Sequence, residues 1–199
     1  KLMKILITTT VSSNFIEDFY KLYQSISQYN QNFQILCEFV NINEFDKTVL
    51  KKLKNLKCIF TSKEFHNYEQ LKGYCTNRRI YLLNKAFVNK MKFDYFLYTD
   101  ANSICVGQID KYLKTKCKKD ITLFSAEKDL INPDLPKTIG PLGTNYYGLI
   151  KGGFIILKNN LSAKKFIEKV KHKLKNYDLL WFADQESLSL VYINYKNQN

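Results

Sequence analysis

The chain has 199 residues and a formal net charge of +13, with 31 lysines and arginines against 18 acids. At that length a single domain with one well-formed core is expected, and 45% hydrophobic with 15% aromatic residues exclude a disordered chain. The charge calls for an anionic partner (nucleic acid, an anionic membrane surface or a phosphate-bearing ligand) unless it only reflects a lysine-rich solvated surface, and no helix-turn-helix spacing or basic-aromatic motif singles out nucleic acid.

Three prolines, seven glycines and no repeat leave no linker to divide the chain. The longest apolar runs fall well short of a membrane span, and no leader is expected. Lys1-Leu2 ahead of Met3 read as non-native residues before a start at Met3, so the domain is taken as residues 3–199. The five cysteines (Cys37, Cys58, Cys75, Cys105, Cys117) lack a CxxC pair and read as small core hydrophobes of a reducing, cytoplasmic compartment.

Met3 to Val11 is a β-rich run ending in hydroxyl residues, Thr8, Thr9 and Thr10 and then Ser12-Ser13. Phe15, Phe19, Leu22, Tyr23 and Ile26 follow at helical spacing, with Asn14 and Glu17 placed for a capping box. The threonines suit a nucleotide's base or ribose; the alternative is ordinary β-propensity. No GxGxxG or GxxxxGK follows the strand, which argues against Rossmann dehydrogenases and P-loop NTPases. Gln34–Ile42 is a second strand, 47–56 a short basic helix and 57–61 a third strand. This β-α-β-α-β order predicts a parallel sheet with helices on both faces.

Residues 68–90 predict a long helix, weakened early by Gly73, that carries Lys72, Asn77, Arg78 and Arg79. An arginine pair can grip a diphosphate bidentately, and a solvated helix face is the plainer reading. The next strand, Tyr95–Thr99, is a five-residue run that stops at Asp100-Ala101-Asn102. In open α/β sheets ligands bind at the carboxyl ends of strands, where the oxygens of Asp100 and Asn102 could face one cation or one ribose. An Asx turn is the alternative there.

A short helix over 110–119 and a fifth strand over 121–126 follow. Residues 129–147 hold all three prolines and form a long loop of the kind that usually serves function. Leu149–Lys158 is a sixth strand interrupted by Gly152-Gly153, a bulge or a close approach of ligand to backbone. An amphipathic basic helix runs to Lys175, and Trp181–Val191 (WFADQESLSLV) opens a last helix with an acid-amide-acid cluster.

Three of these segments, in order, resemble those of glycosyltransferases of the nucleotide-sugar-binding GT-A type. YFLYTDANSICVG is similar to the segment carrying the DxD motif, KGGFIILKN to the "NaGvmLlkN" strand, and ADQESL to the "DQdaLN" that follows it. The likeness covers Met3 to about Val191 and is nearest the retaining, glycogenin-like and lipooligosaccharide galactosyltransferase-like families. It implies an α/β, Rossmann-like, mostly parallel central sheet flanked by helices in a single GT-A domain.

The implied activity is transfer of a sugar from a nucleoside-diphosphate sugar to a glycan or lipid-linked acceptor. Carried over, Asp100 and Asn102 become ligands of Mn²⁺ or Mg²⁺, with Asp100 also on the ribose. Asp184 and Gln185 line the sugar and acceptor side. Gly152 and Gly153 admit the sugar, Arg78 or Arg79 meets the diphosphate, and Thr8, Thr9 and Thr10 meet the base. Peripheral contact with an anionic membrane is implied for the basic surface, and no specific nucleic acid.

Two departures stand out. Asn102 replaces a second carboxylate, and the families' late His-x-x-Gly-x-x-Lys stretch is missing; His172 reads as a surface residue. These leave a catalytically silent binding module as the rival, with a nucleic-acid-binding protein resting on charge alone. A sugar-1-phosphate nucleotidyltransferase would need a glycine- and arginine-rich N-terminal loop that this chain lacks.

Overall fold

The computed structural model describes residues 3–125, 139–144 and 149–196. The strands are β1 (Ile5–Ser12), β2 (Phe33–Val40), β3 (Leu56–Thr61), β4 (Tyr95–Thr99), β5 (Ile121–Ser125) and β6 (Ile150–Lys158). The helices are α1 (Ile16–Tyr29), α2 (Glu44–Leu50), α3 (Tyr68–Val88), α4 (Ile109–Lys116), α5 (Leu161–Leu174) and α6 (Ala183–Lys196).

The strands form one sheet in the order β3-β2-β1-β4-β6-β5. β1 pairs in parallel with β2 and β4, and β2 with β3. β6 runs antiparallel to both β4 and β5. The expected mostly parallel α/β sheet is therefore present; β6 alone reverses the sense, and β5 beyond it runs the same way as β4. β1 is buried at every residue, as a central strand covered on both faces must be.

Alternation divides the side chains between two cores. Leu6, Leu36, Phe96, Tyr98, Ile155 and Leu157 face α3, α5 and α6, where Ile80, Leu83, Phe87 and Phe166 complete one cluster. Ile7, Ile35, Cys37, Leu97 and Ile156 point the other way, onto Phe19, Leu22, Leu50 and Leu113. Each buried Phe or Leu contributes roughly 1.5–3 kcal/mol relative to exposure.

Three helices start on an asparagine whose side chain accepts a backbone N–H. These are Asn43 from Asp46, Asn67 from Gln70 and Asn160 from Ala163, at 2.8, 3.0 and 3.0 Å. The capping box expected at Asn14 is absent. Residues 13–15 form a 3₁₀ turn, α1 begins after Phe15, and no side-chain cap closes it. Helix α2 also begins three residues before the expected start, at its Asn43 cap. All five cysteines are free thiols, Cys37 and Cys117 buried. Most of the loop expected over 129–147, and residues 1–2 and 197–199, lie outside the described residues.

Candidate active site

The parallel strands deliver their carboxyl ends to one edge of the sheet, and there β4 gives way to Asp100. Its backbone N–H donates to the Gly153 carbonyl across the β4–β6 pair, at 3.1 Å. Its Oδ1 accepts the Tyr98 hydroxyl at 3.0 Å. The carboxylate remains 41% exposed, so it is both oriented and reachable. Asn102, two residues on, is exposed.

Beneath Asp100 lies Arg79 of α3, whose side chain is only 3% exposed. Its Nε donates to the Thr76 carbonyl at 2.7 Å and sits 3.0 Å from Asp184 Oδ2, while Nη2 is 3.5 Å from Asp100 Oδ1. The guanidinium stacks over the Tyr98 ring at 4.8 Å. Nη1 is buried and makes no hydrogen bond. One buried cation thus ties the strand-end carboxylate to the first turn of α6.

Burial pushes the Asp184 carboxyl above the usual aspartate range. The Arg79 guanidinium and the Gln185 backbone N–H oppose that rise. Arg79 itself is raised despite its burial, because Asp184, Tyr98 and Asp100 surround it with acceptor charge.

Gly152 and Gly153 make this packing possible. A side chain on Gly152 would run into Arg79 Nη1 and lie 2.9 Å from Asp184 Oδ2; one on Gly153 would lie 2.7 Å from Asp100 Oδ2. Both glycines fall where the β5–β6 register shifts, Leu123 opposing Ile155 and Phe124 opposing Lys151. The expected irregularity is there, but the backbone closes on Arg79 and Asp100.

Other expected site residues separate. Arg78, one step along α3, turns away to Glu38 of β2, Nε to Oε2 at 2.8 Å. That buried carboxylate also accepts the Thr61 and Tyr74 hydroxyls at 2.9 and 3.0 Å. The structure therefore places Arg78 as the partner of a buried glutamate, apart from the Asp100–Arg79 pair. Thr8, Thr9 and Thr10 are not a loop but the middle of β1. Thr8 donates to the Leu97 carbonyl at 3.0 Å and, like Thr9, is wholly buried. Only Thr10 reaches the cavity described below. Gln185 is half-buried on the first turn of α6, and His172 is exposed on α5 as expected.

Asn77 does more than the sequence reveals. It is fully buried on α3, and its amide donates to the carbonyls of Tyr177, Asp178 and Leu180 at 2.9–3.1 Å. Its Oδ1 accepts the Asp184 backbone N–H at 3.1 Å. Gly73, one turn earlier, is there because a side chain would strike the Leu179 carbonyl. Asn77 and Gly73 clamp the turn that launches α6. Phe182 at its end holds a left-handed φ of 67°, a conformation that costs of order 1–3 kcal/mol and persists only where packing imposes it. Glu186 is a second such anchor: buried on α6, it accepts the backbone N–H groups of Leu142 and Thr144 at 2.7 and 2.8 Å.

Asp100, Asn102 and Arg79 line a cavity of about 190 Å³ at this edge, with Thr10, Ser12 and Lys72. Phe15 and Tyr68, both exposed aromatic rings, stand among its walls. Lys72 lies over the Trp181 ring, which stacks on Phe182 with centroids 4.1 Å apart. Lys72 and the Arg79–Asp100 ion pair line the floor and aromatic rings the walls, a chemistry that can take a phosphate joined to a planar base. Among the described residues no group of three His, Cys, Asp or Glu is placed to hold a metal ion.

No protein-family model matches the sequence, and no curated protein matches it significantly. Solved structures do share its fold. A galactosyltransferase, LgtC, in complex with donor and acceptor sugar analogs, superposes with a TM-score of 0.60 at 16% identity, over 92% of this chain and 69% of its own. The bifunctional glycosyltransferase WbbM, in its apo form, gives 0.63 at 12% identity over 96% of this chain and 37% of its own. An active-site mutant of LgtC gives 0.58 at 14% identity, over 92% and 70%. This chain shares its α/β fold with these glycosyltransferase structures.

Proposed function

We propose that this chain transfers a sugar from a nucleoside-diphosphate sugar to a glycan or lipid-linked acceptor. One observation carries the reading: the exposed carboxylate of Asp100, at the end of β4, sits on the buried guanidinium of Arg79 at the edge of a sheet of glycosyltransferase architecture. The neighbours at 12–16% identity support the fold, and the site chemistry supports the reaction.

In this reading the base stacks between the Phe15 and Tyr68 rings, and the ribose hydroxyls meet Asp100. Lys72 and Arg79 face the diphosphate, whose charge grows as the glycosidic bond breaks. Charge placed in advance where it will develop is a large catalytic term. Asp184 holds Arg79 in place from below, which makes it a positioning residue; Gln185, on the same turn, is the polar group assigned to the sugar.

A divalent cation fits this donor set only in part. Asp100 and Asn102 offer hard oxygen ligands, and Mg²⁺ or Mn²⁺ commonly takes one or two carboxylates and completes its shell with phosphate and water. Asp100 and Asn102 would hold it, and it would neutralise the leaving diphosphate. The thin donor set keeps a catalytically silent nucleotide-sugar-binding protein as the second reading.

A thermal-shift screen of nucleoside diphosphates and their sugars, with and without Mn²⁺, tests the proposal. A bound ligand raises the apparent stability by mass action. A shift for one diphosphate that Asp100→Ala abolishes supports the site, and slow hydrolysis of the matching sugar separates an enzyme from a silent relative. No shift with any of them overturns the reading.

A further inference from the structure

A second cavity, about 550 Å³, lies on the opposite face of the sheet between α1, α4 and the segment that follows Asp100-Ala101-Asn102. Ile7, Leu22, Ile26, Leu97 and Phe154 form its walls, and no charged residue lines it. It opens to solvent past Ile104 and Val106, and its volume falls within the range of small-molecule sites.

Its outer wall, residues 103–109, is built rather than loose. Cys105 N–H donates to Ser25 Oγ at 3.0 Å, Ile109 N–H to Asn30 Oδ1 at 2.8 Å, and Asn30 Nδ2 to the Gly107 carbonyl at 3.4 Å. Directed hydrogen bonds hold the wall in place while the apolar space behind it stays unfilled.

Two features name the occupant. At the mouth, Ile104 and Val106 are 66% and 86% exposed, and α4 and its exit, toward the amino end of β4, present Lys111, Lys114, Lys116, Lys118 and Lys119 to solvent. Of these, Lys114 is paired with Asp110. Exposed aliphatic side chains on a face that also carries lysines suit the approach of an amphiphile's apolar tail from an anionic membrane surface. Thr99 and Ser103, which bracket the Asp100–Asn102 turn, also line this cavity, so an occupant's head would emerge beside the donor site.

We propose that this cavity takes the alkyl or isoprenoid tail of a lipid-borne acceptor, an assignment that rests on the glycosyl-transfer reading above. The acceptor's reactive hydroxyl would then reach the Asp100 edge while its tail stays out of water.

The test is calorimetric binding of octyl, decyl and dodecyl maltosides, below their micelle concentrations, to the intact chain without nucleotide. Affinity is expected to rise about fourfold per added methylene, the fold-change that corresponds to about 0.8 kcal/mol for each one buried. Gly107 lines the cavity and a Cβ built on it meets nothing within 4 Å, so Gly107→Trp brings a large ring to the cavity wall with no clash at Cβ. That variant should flatten the chain-length dependence while keeping the unfolding temperature and nucleotide-sugar binding. Ile104→Asp, at an exposed position, should weaken dodecyl maltoside binding at least tenfold and secures the test should the tryptophan disturb folding. Affinity independent of chain length, or the same dependence in both variants, overturns the tail site. Intact chain-length dependence with no nucleotide-sugar binding overturns the acceptor role and the transfer reading together. Nucleotide-sugar binding without chain-length dependence overturns the tail site and leaves transfer standing.

Discussion

Gly152 stands against Arg79: the β6 backbone passes so close that any side chain there would occupy the place of the Arg79 Nη1 group. Gly152→Ala is therefore expected to force the guanidinium off Asp184 and Asp100. Overpacking of this kind costs about 1–3 kcal/mol. Urea unfolding would read the loss, and nucleoside-diphosphate binding should weaken with it. A variant with wild-type stability and binding would show that Arg79 moves aside freely.

Asp100 should separate chemistry from folding. Its carboxylate is 41% exposed, and its partners, the Tyr98 hydroxyl and the Arg79 guanidinium, can be met by an amide oxygen as well. Asp100→Asn should keep the unfolding temperature within a few degrees and lower donor turnover by about 10²–10³, the range seen when one charge-stabilising group is lost. Steady-state hydrolysis of the donor sugar checks this; near-normal turnover would remove Asp100 from the mechanism.

The rings of Phe15 and Tyr68 are solvent-exposed, so neither holds the core together. Replacing either by Ala should leave stability unchanged and weaken nucleoside-diphosphate binding about tenfold, since stacking a base on an aromatic ring is worth about 1–3 kcal/mol. Titration calorimetry distinguishes this from a structural role, in which stability would fall and affinity would not.

Asn77 carries the turn before α6. Asn77→Ala leaves three backbone carbonyls and the Asp184 N–H without the partner they have now. The expected loss is about 1–3 kcal/mol for each of these groups that stays buried without a new partner. Backbone hydrogen exchange at 177–184 should accelerate beyond the global change. Uniform acceleration would mean that the clamp is not local.

Asp184 gives stability a pH signature. Its folded-state carboxyl titrates above the usual aspartate value, first because it is buried. The folded chain therefore binds this proton more tightly than the unfolded chain does. The contribution to stability is full below about pH 4, the unfolded aspartate value, and is lost as pH rises through the raised folded value. Unfolding free energies of the wild type minus those of Asp184→Asn should fall across that window. A difference independent of pH, or one that rises, would contradict the environment described for this carboxylate.

Much of this was legible locally. A five-residue apolar run ending in Asp100-Ala101-Asn102 announces a buried strand with oxygen groups at its end, and the structure places β4 at those residues. Asparagine caps and apolar spacing set most helix limits. Asn14 misled because the chain spends residues 13–15 in a 3₁₀ turn before α1 begins, a choice between local geometries of similar energy.

What the sequence by itself determined is the order of elements and the residues that end each strand, because both follow from periodicity and backbone preference within a few residues. Only the tertiary structure decided which neighbours serve the site. Arg78 and Arg79 are adjacent in sequence but point about 100° apart on α3, so one meets Glu38 and the other meets Asp100 and Asp184. Thr10 reaches the cavity and Thr8 does not, because Thr8 lies deeper along β1 and spends its hydroxyl on Leu97. The partners of Asn77 and Arg79 on the α6 turn lie about a hundred residues away in the chain. A contact at that separation exists only once α3 and α6 have packed on the same face of the sheet.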